Sequence, residues 1–351
     1  DARCEFVTET LVEFGAPSDI KHIAKPHIGT DALKGVVTRL RKHILSLGAE
    51  ILFNTKLTGL HIHDGKLTAV STDKEVIPAD LCILAIGHSA RDTFRCLQNA
   101  GIPMEQKLFS MGVRIEHLQE NIDKAQYGCH DPVLPPADYK LVQHLDEKSV
   151  YTFCMCPGGY VVAAASEEGG VVTNGMSFSD RAGENANSAV LVTVQPKDFP
   201  YPGALGGVQW QREIEEKAYR LSGSYQAPAQ RFGDFLAGRA STEQGSVRPT
   251  YLPGVHWCDL HEVLPPIITD NLKKGIVDLD KRLKGFASPD AVLTGPETRS
   301  SSPVRILRDA ENKTALPGLY PAGEGAGYAG GIMSAAVDGM EAAEAVLKSL
   351  M

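Results

Sequence analysis

Apolar residues recur at helical spacing through segment 30–48, where Leu33, Val36, Val37, Leu40, Ile44 and Leu47 fall on one face. Thr30 or Asp31 supplies a cap at its start and Gly48 a stop. Beyond it the period changes. Glu50-Ile51-Leu52-Phe53 reads as a strand. Leu57–His63 and Lys66–Ser71 read as two extended runs joined by Asp64-Gly65, a strong hairpin signal. Ala79 to Gly87 (ADLCILAIG) is an apolar run ending in glycine, as expected of a strand buried on both faces. The order helix, strand, hairpin, buried strand predicts an α/β domain with a small β meander inside it.

The middle of the chain has another texture. Tyr160–Ala165 and Val190–Val194 are apolar runs separated by loops rich in Gly, Asn, Ser and Pro, and Arg181–Ser188 (RAGENANS) reads as a stretch that cannot pack alone. The end returns to α/β grammar. Gly318–Glu324 predicts a short strand, Gly325–Gly331 a glycine-rich turn, and the rest a helix with Ile332, Ala336, Met340, Ala343 and Leu347 on one face. Gly325-Ala-Gly327-Tyr-Ala-Gly330 fits GxGxxG, but the dinucleotide fingerprint needs a second strand with an acidic residue about 20 positions on. Only 351 − 330 = 21 residues follow, all helical in pattern. A glycine-rich strand-to-helix turn still brings backbone N–H groups to the positive end of a helix, close to any ligand there. Tight helix–strand packing through small residues is the competing reading.

At 351 residues the chain exceeds the usual single core, which predicts two domains. Its 35 basic residues against 43 acidic ones give a net charge of −8 without long runs of one sign, which argues against nucleic acid and anionic membranes as partners. No apolar run approaches the roughly 18 residues that span a bilayer. Seven scattered cysteines predict reduced thiols and a cytoplasmic location rather than a disulfide framework. The chain opens at Asp1 without Met, and its first stretch reads as the middle of something; a fragment is expected.

Pro321-Ala-Gly-Glu324, followed by Gly330-Gly331-Ile332 and a helix, resembles the C-terminal FAD motif of the glutathione reductase and fumarate reductase flavoprotein superfamily. Ile83-Leu84-Ala85-Ile86-Gly87 resembles that group's second signature. Lys25–Asp31 (KPHIGTD), Ala85–Thr93 (AIGHSARDT), Phe153–Tyr160 (FCMCPGGY) and Glu297–Pro303 (ETRSSSP), in this order, resemble a bacterial family of FAD-dependent proteins, the NAD/FAD-utilising dehydrogenases. The resemblance covers essentially the whole chain, except that the N-terminal GxGxxG segment of the family has no counterpart. It implies a partial, N-terminally truncated Rossmann-like FAD domain, residues 1–110 and 286–351, with an inserted mixed α/β substrate domain, 111–285. It also implies cofactor contacts at Leu57 (in the segment 54–58 that faces adenine), Ala85, Gly87, Gly323, Glu324, Gly330, Gly331, Ile332 and Met333. Glu324 would bind the ribityl chain, and the start of the last helix would face the flavin pyrimidine edge. FAD would be absent or weakly held by this chain alone, and NAD(P)H is a candidate donor.

Arg299, Glu297 and His88 are the candidates for the chemistry, with the substrate expected near all three. Arg299 would hold a substrate carboxylate or stabilise charge on a reduced flavin; the rival reading is an inter-domain ion pair with Glu297. His88, just past Gly87 at the carboxyl end of a strand, would donate a proton, while Ser89 or Asp92 as a helix cap is the plainer alternative. Cys154 and Cys156 would point to one face of a strand as structural thiols, a redox partner of flavin, or metal ligands, and CxC lacks the CxxC spacing of common metal sites. Arg114 and Glu116 share a strand face and either line a cleft or form a bridged surface. The expected protein is an FAD-dependent oxidoreductase acting on a small molecule by hydride transfer through flavin N5, binding no metal, with an open sheet edge that makes it a candidate homo-oligomer. The rival is a non-catalytic flavin-binding or protein-interaction module. Flavin-dependent RNA modification is disfavoured by the acidic balance.

Overall fold

The computed structural model of the chain describes residues 2–23, 26–129, 131 and 133–351; Asp1 and Lys25, both read above, lie outside them. Two helices come first, α1 (Ala2–Glu13) and α2 (Thr30–Ser46). Of the apolar face predicted for α2, only Val36 is fully buried, packed with Ala16 and Ile20, while Val37, Ile44 and Leu47 stand exposed. Residues 50–53 do not form the predicted strand. Phe53 lies instead under the Arg41 guanidinium, 5.5 Å from ring centre to cation, a side-chain contact in place of sheet pairing.

The hairpin forms as predicted. β1 (Leu57–His63) and β2 (Lys66–Thr72) pair antiparallel around Asp64 and Gly65, both at positive φ (49° and 72°), as a twist-matched two-residue turn requires. β3 (Val76–Pro78) adds a third strand. β4 (Cys82–Leu84) is much shorter than the run 79–87, and only Leu84 is fully buried; Ile83 and Ala85 are exposed, so the strand is covered on one face rather than two. α3 (Arg91–Asn99) and β5 (Met104–Gln106) follow. Leu67, Leu84, Phe94, Leu97 and Ile102 from this half share a core with Val208, Val304, Ile306, Leu316 and Leu319.

The larger core belongs to a seven-stranded mixed sheet. Its strands are β6 (Phe109–Leu118), β7 (Val142–Leu145), β8 (Lys148–Cys156), β11 (Asn185–Val194), β12 (Ala227–Arg231), β13 (Val255–Trp257) and β14 (Val292–Glu297), in spatial order β13-β12-β14-β6-β11-β8-β7. Helices α4 (Gln119–Tyr127), α5 (Gly206–Ser222), α6 (Phe232–Ala237) and α7 (Pro266–Asp280) complete this part, and β9 (Tyr160–Ala163) pairs with β10 (Thr173–Met176) as a separate ribbon. Period-2 alternation sorts the two faces. Phe109, Met111, Val113 and Ile115 of β6 and Val190, Val192 and Val194 of β11 join the apolar core with Ile268, Leu272 and Ile276 of α7. Each such aliphatic side chain contributes about 1.5–3 kcal/mol on burial. Arg114 and Glu116 face the other way and are also fully buried, because β10 crosses that face against β6, β8, β11 and β14. Arg181–Ser188 corrects a prediction: Asn185–Ser188 are the buried start of β11, their polar groups met by Glu116, Arg114 and Tyr139. β14, an inner strand of this sheet, lies at 292–297, beyond the boundary expected at 285.

β15 (Val304–Ile306) pairs antiparallel with β5, and β16 (Leu319–Pro321) pairs parallel with β4. The chain closes with α8 (Ile332–Leu350). Its buried face is Asp338, Ala342 and Ala345, whereas Ile332 and Leu347 of the predicted stripe are exposed. The face is set by a polar contact that hydropathy does not register: Asp338 pairs with Arg308 and accepts the Gly323 N–H at 2.6 Å. Among the described residues no helix is long and apolar enough to cross a membrane.

Candidate functional site

β4 and β16 lie parallel in register, Leu84 opposite Pro321, so the turns that leave their carboxyl ends emerge side by side. The two turns touch. A Cβ on Gly325 would fall 2.3 Å from the Gly87 carbonyl oxygen, a distance no side chain survives, and Gly87 and Gly323 both sit in left-handed conformations (φ 68° and 77°). Arg308 fastens the second turn by donating to the Pro321 carbonyl at 2.7 Å and to Asp338. Across this junction His88 Nδ1 stands 3.7 Å from Glu324 Oε2, with both side chains mostly buried. Burial and the nearby Arg305 hold the Lys107 ammonium below its usual value, against the pull of Glu324. Nothing local to Lys107 marks it for this place; it follows β5 and belongs to neither turn.

Ala85, Gly87, His88, Gly323 and Glu324 are therefore brought together, and Gly330–Met333 lead directly into α8. A Cβ on Gly330 or Gly331 would meet no atom within 4 Å, so the start of α8 faces open space, and no side chain caps it. That is the cradle an FAD pyrimidine edge needs: uncapped helix N–H donors with room beside them. The donor set thus fits the flavin end of the cofactor. Leu57 stands apart: it packs against the smaller core from β1, and its neighbour Lys56 reaches Asp92 at 2.5 Å, a few residues beyond His88.

Glu297 and Arg299 do not pair with each other. Glu297 holds Arg114 in a two-pronged pair, Nε–Oε2 2.5 Å and Nη2–Oε1 3.0 Å. Arg299 turns to Glu215 of α5, donating from Nε at 3.1 Å and from Nη2 at 2.7 Å, and also reaches Ser166 and Glu167. Arg91 meets the same Glu215 carboxylate with two bonds of 2.8 Å. Burial pushes Glu215 up, but the two guanidiniums outweigh it and keep it below the usual carboxylate range. Glu297, with one arginine, ends above its usual value because burial wins. Sequence reasoning placed Arg91 in the turn after Gly87 but missed its partners Glu167 and Glu215; nothing in local spacing pairs residues more than 70 apart.

A cavity of about 500 Å³ opens between α1, the segment before α2, the ends of β8 and β10, and the start of α8. Leu11, Ile28, Leu33, Met176, Ile332 and Met333 give it an apolar wall, and both Cys154 and Cys156 line it. The two thiols do not simply alternate: a bulge opposite Asn187–Ala189 puts Cys154 at φ 44°, leaving it exposed and Cys156 buried. Among the described residues no cluster of three or more His, Cys, Asp or Glu side chains is arranged for a metal. Residues 26–30, from the KPHIGTD stretch, supply one wall.

Residues 108–300, which span the seven-stranded sheet, match the family described as FAD-dependent protein, C-terminal domain-like. A protein of Clostridium beijerinckii that bears only the name uncharacterized protein is 49% identical over 99% of this chain, and the chain spans 66% of that relative's length. Among solved structures, an oxidoreductase from Methanosarcina mazei is 15% identical, with 90% of this chain and 54% of that one covered at a TM-score of 0.34. L-proline dehydrogenase from P. horikoshii is 14% identical, with 91% and 55% covered at the same TM-score of 0.34. Likeness that slight transfers nothing to this chain.

Proposed function

This chain belongs to the family of FAD-dependent proteins, and from that premise we propose that it is the larger part of an FAD-dependent oxidoreductase acting on a small molecule. The observation that carries the reading is the contact of the Gly87 and Gly325 turns beside the uncapped, open start of α8. When bound, FAD supplies the hydride or electron transfer, with NAD(P)H as the proposed donor. Glu324 is read as the acceptor for a ribityl hydroxyl, and the N–H groups of Ile332 and Met333 as donors to the pyrimidine edge. His88, close to Glu324, is read as the group that holds a proton beside the ring. Glu297 and Arg299, each bound to a buried partner, are read as positioning residues. In the same reading, residues 1–110 and 286–351 form the cofactor domain and 111–285 the substrate domain, whose sheet borrows β14 from the returning chain.

Residues 325–330 lack the second strand of a dinucleotide fingerprint, so the diphosphate is proposed to be gripped by a part of the protein outside these 351 residues. The test is an absorption spectrum of the chain after incubation with excess FAD and desalting, repeated on a longer chain that includes the region the relative carries beyond this one. Flavin bands on either chain, lost in Gly325→Ala, support the reading. Bands on neither, with both chains folded, sink it. Oxidation of NADH or NADPH by the loaded protein then tests the donor.

A further inference from the structure

The cavity beside α8 has a lining whose polar groups are nearly all engaged. Thr8 Oγ1 donates to the Cys4 carbonyl at 2.8 Å, Thr30 Oγ1 to the Ser177 carbonyl at 3.2 Å, and Ser177 Oγ to the Pro157 carbonyl at 2.8 Å. The His27 Nε2 is bonded to the Phe178 carbonyl at 3.1 Å, and Cys156 Sγ to the Cys154 carbonyl at 3.3 Å. No Asp, Glu, Lys or Arg stands among the described lining residues. The guanidinium of Arg114 lies behind the wall, under Gly175, where a Cβ would come within 2.4 Å of it; its charge is already met by Glu297. The groups left open are the exposed Cys154 thiol, a weak donor, and the Ile332 and Met333 N–H groups at the uncapped start of α8, which the flavin reading gives to the cofactor.

We propose that this cavity binds an uncharged, largely apolar ring ketone or quinone, and that this is the substrate class of the oxidoreductase. The second half rests on the flavin reading above; the first half does not. A charged ligand would find no side-chain counter-ion in the lining, and an unpaired charge in an apolar site is strongly disfavoured. A ligand rich in hydroxyls or amides would lose its water for a lining whose hydroxyl donors are already engaged. A ring with carbonyl oxygens loses little, and the thiol offers it a polar contact. The volume of about 500 Å³ falls within the roughly 300–1,000 Å³ of small-molecule sites. The cavity meets the proposed flavin contacts only at Ile332 and Met333, so ring and ligand would adjoin there.

The test reads the cavity without flavin. The purified chain is alkylated with N-ethylmaleimide, and labelling of each cysteine is followed by peptide mass, with and without duroquinone, whose fully substituted ring does not add thiols. Cys129, exposed and outside the cavity lining, is the internal control. Duroquinone at about ten times its Kd is expected to slow Cys154 labelling about tenfold by mass action and to leave Cys129 unchanged. Anthraquinone-2-sulfonate, which carries a charge, is expected to protect neither. Leu33→Trp and Thr8→Trp, which fill the cavity from different helices, are expected to abolish the protection. No protection by duroquinone at its solubility limit, or equal protection by the sulfonate, overturns the proposal; this wild-type comparison decides even if a variant fails to fold. Protection without FAD retention on any length of chain would keep the cavity and sink the oxidoreductase reading.

Discussion

Arg114 and Glu297, 183 residues apart, meet through two hydrogen bonds on the face of the central sheet that β10 covers. The guanidinium spends its remaining donors on the Cys154 carbonyl at 2.8 Å and on Asn174 and Asn187 at 2.8 and 3.2 Å. One buried cation thus ties together β6, the bulge of β8, β10, β11 and β14. Glu297→Gln would leave that cation without its counter-charge, and the expected loss is about 3–5 kcal/mol in urea unfolding. A joint replacement by Leu and Met should recover much of it, because the pair's desolvation disappears with it. Equal losses in the single and double variants would contradict this.

Glu215 carries the join between the two cores. It receives Arg91 from the smaller core's side and Arg299 from the strand exit of the larger, and Thr298 Oγ1 donates to it at 2.6 Å. Glu215→Gln is expected to cost about 3–5 kcal/mol, since two guanidiniums lose their carboxylate in a buried site. Arg299→Lys should then lower stability before it touches the chemistry. An unchanged unfolding midpoint with a raised KM would instead return Arg299 to substrate binding.

His117, neighbour to Glu116 but on the opposite face of β6, is buried with its Nε2 bonded to the Phe286 carbonyl at 2.8 Å. Burial lowers it from 6.5 to about 4. The folded-state value lies below the unfolded one, so the fold holds the neutral ring. Its contribution is full above about pH 6.5 and is lost as pH falls through 6.5 toward 4, to a total of about 3 kcal/mol. His117→Gln should be less dependent on pH than the parent across that window, measured as the difference in urea unfolding between pH 7 and pH 4.5. Parallel pH profiles for the two proteins would contradict the assignment.

Glu324 stands where the two glycine turns meet, within 3.7 Å of His88. If it accepts a flavin hydroxyl, Glu324→Ala removes a hydrogen bond to a charged group, worth about 1.5–3 kcal/mol, and FAD retention should fall at least about tenfold. Circular dichroism should show the fold unchanged, because this side chain carries no helix or strand. Undiminished FAD binding would move the cofactor elsewhere.

Local features of this fold were legible in the residues, and features made by distant partners were not. Asp64-Gly65 specifies its own turn, so the hairpin followed from two residues and their flanks. The strand-to-turn passage at Leu319–Glu324 is legible in the same way, but the expected cap of α2 by Thr30 or Asp31 is not formed: Gly29 holds that position and Asp31 accepts from Ser179 instead. By contrast, Asn185–Ser188 looked like a loop because their polar groups have no local partners; they are strand because Arg114 and Glu116 wait on β6. The stripe chosen for α8 was the more apolar one, yet the Arg308–Asp338 pair turned another face inward. The candidate site divides likewise. Gly87, Gly323 and Glu324 could be named from the turns that carry them, whereas Lys107 and the ring of carboxylate and guanidinium around Glu215 exist only once the chain is folded.

The pairing of β4 with β16 also has a consequence in time. Leu84 and Pro321 are register partners although 321 − 84 = 237 residues separate them. Loop-closure entropy makes such a contact expensive for an open chain, and folding slows as contacts become less local. The central sheet shortens that loop, because β6 and β14 draw residues 116 and 292 together before the ends need to meet. Pulse-labelled amides in β6, β11 and β14 are therefore expected to gain protection during refolding before those of β4 and β16. The glycine turns at the ends of β4 and β16 are then expected to take shape after the central sheet, so a ligand seated between them would meet a chain whose middle is already folded.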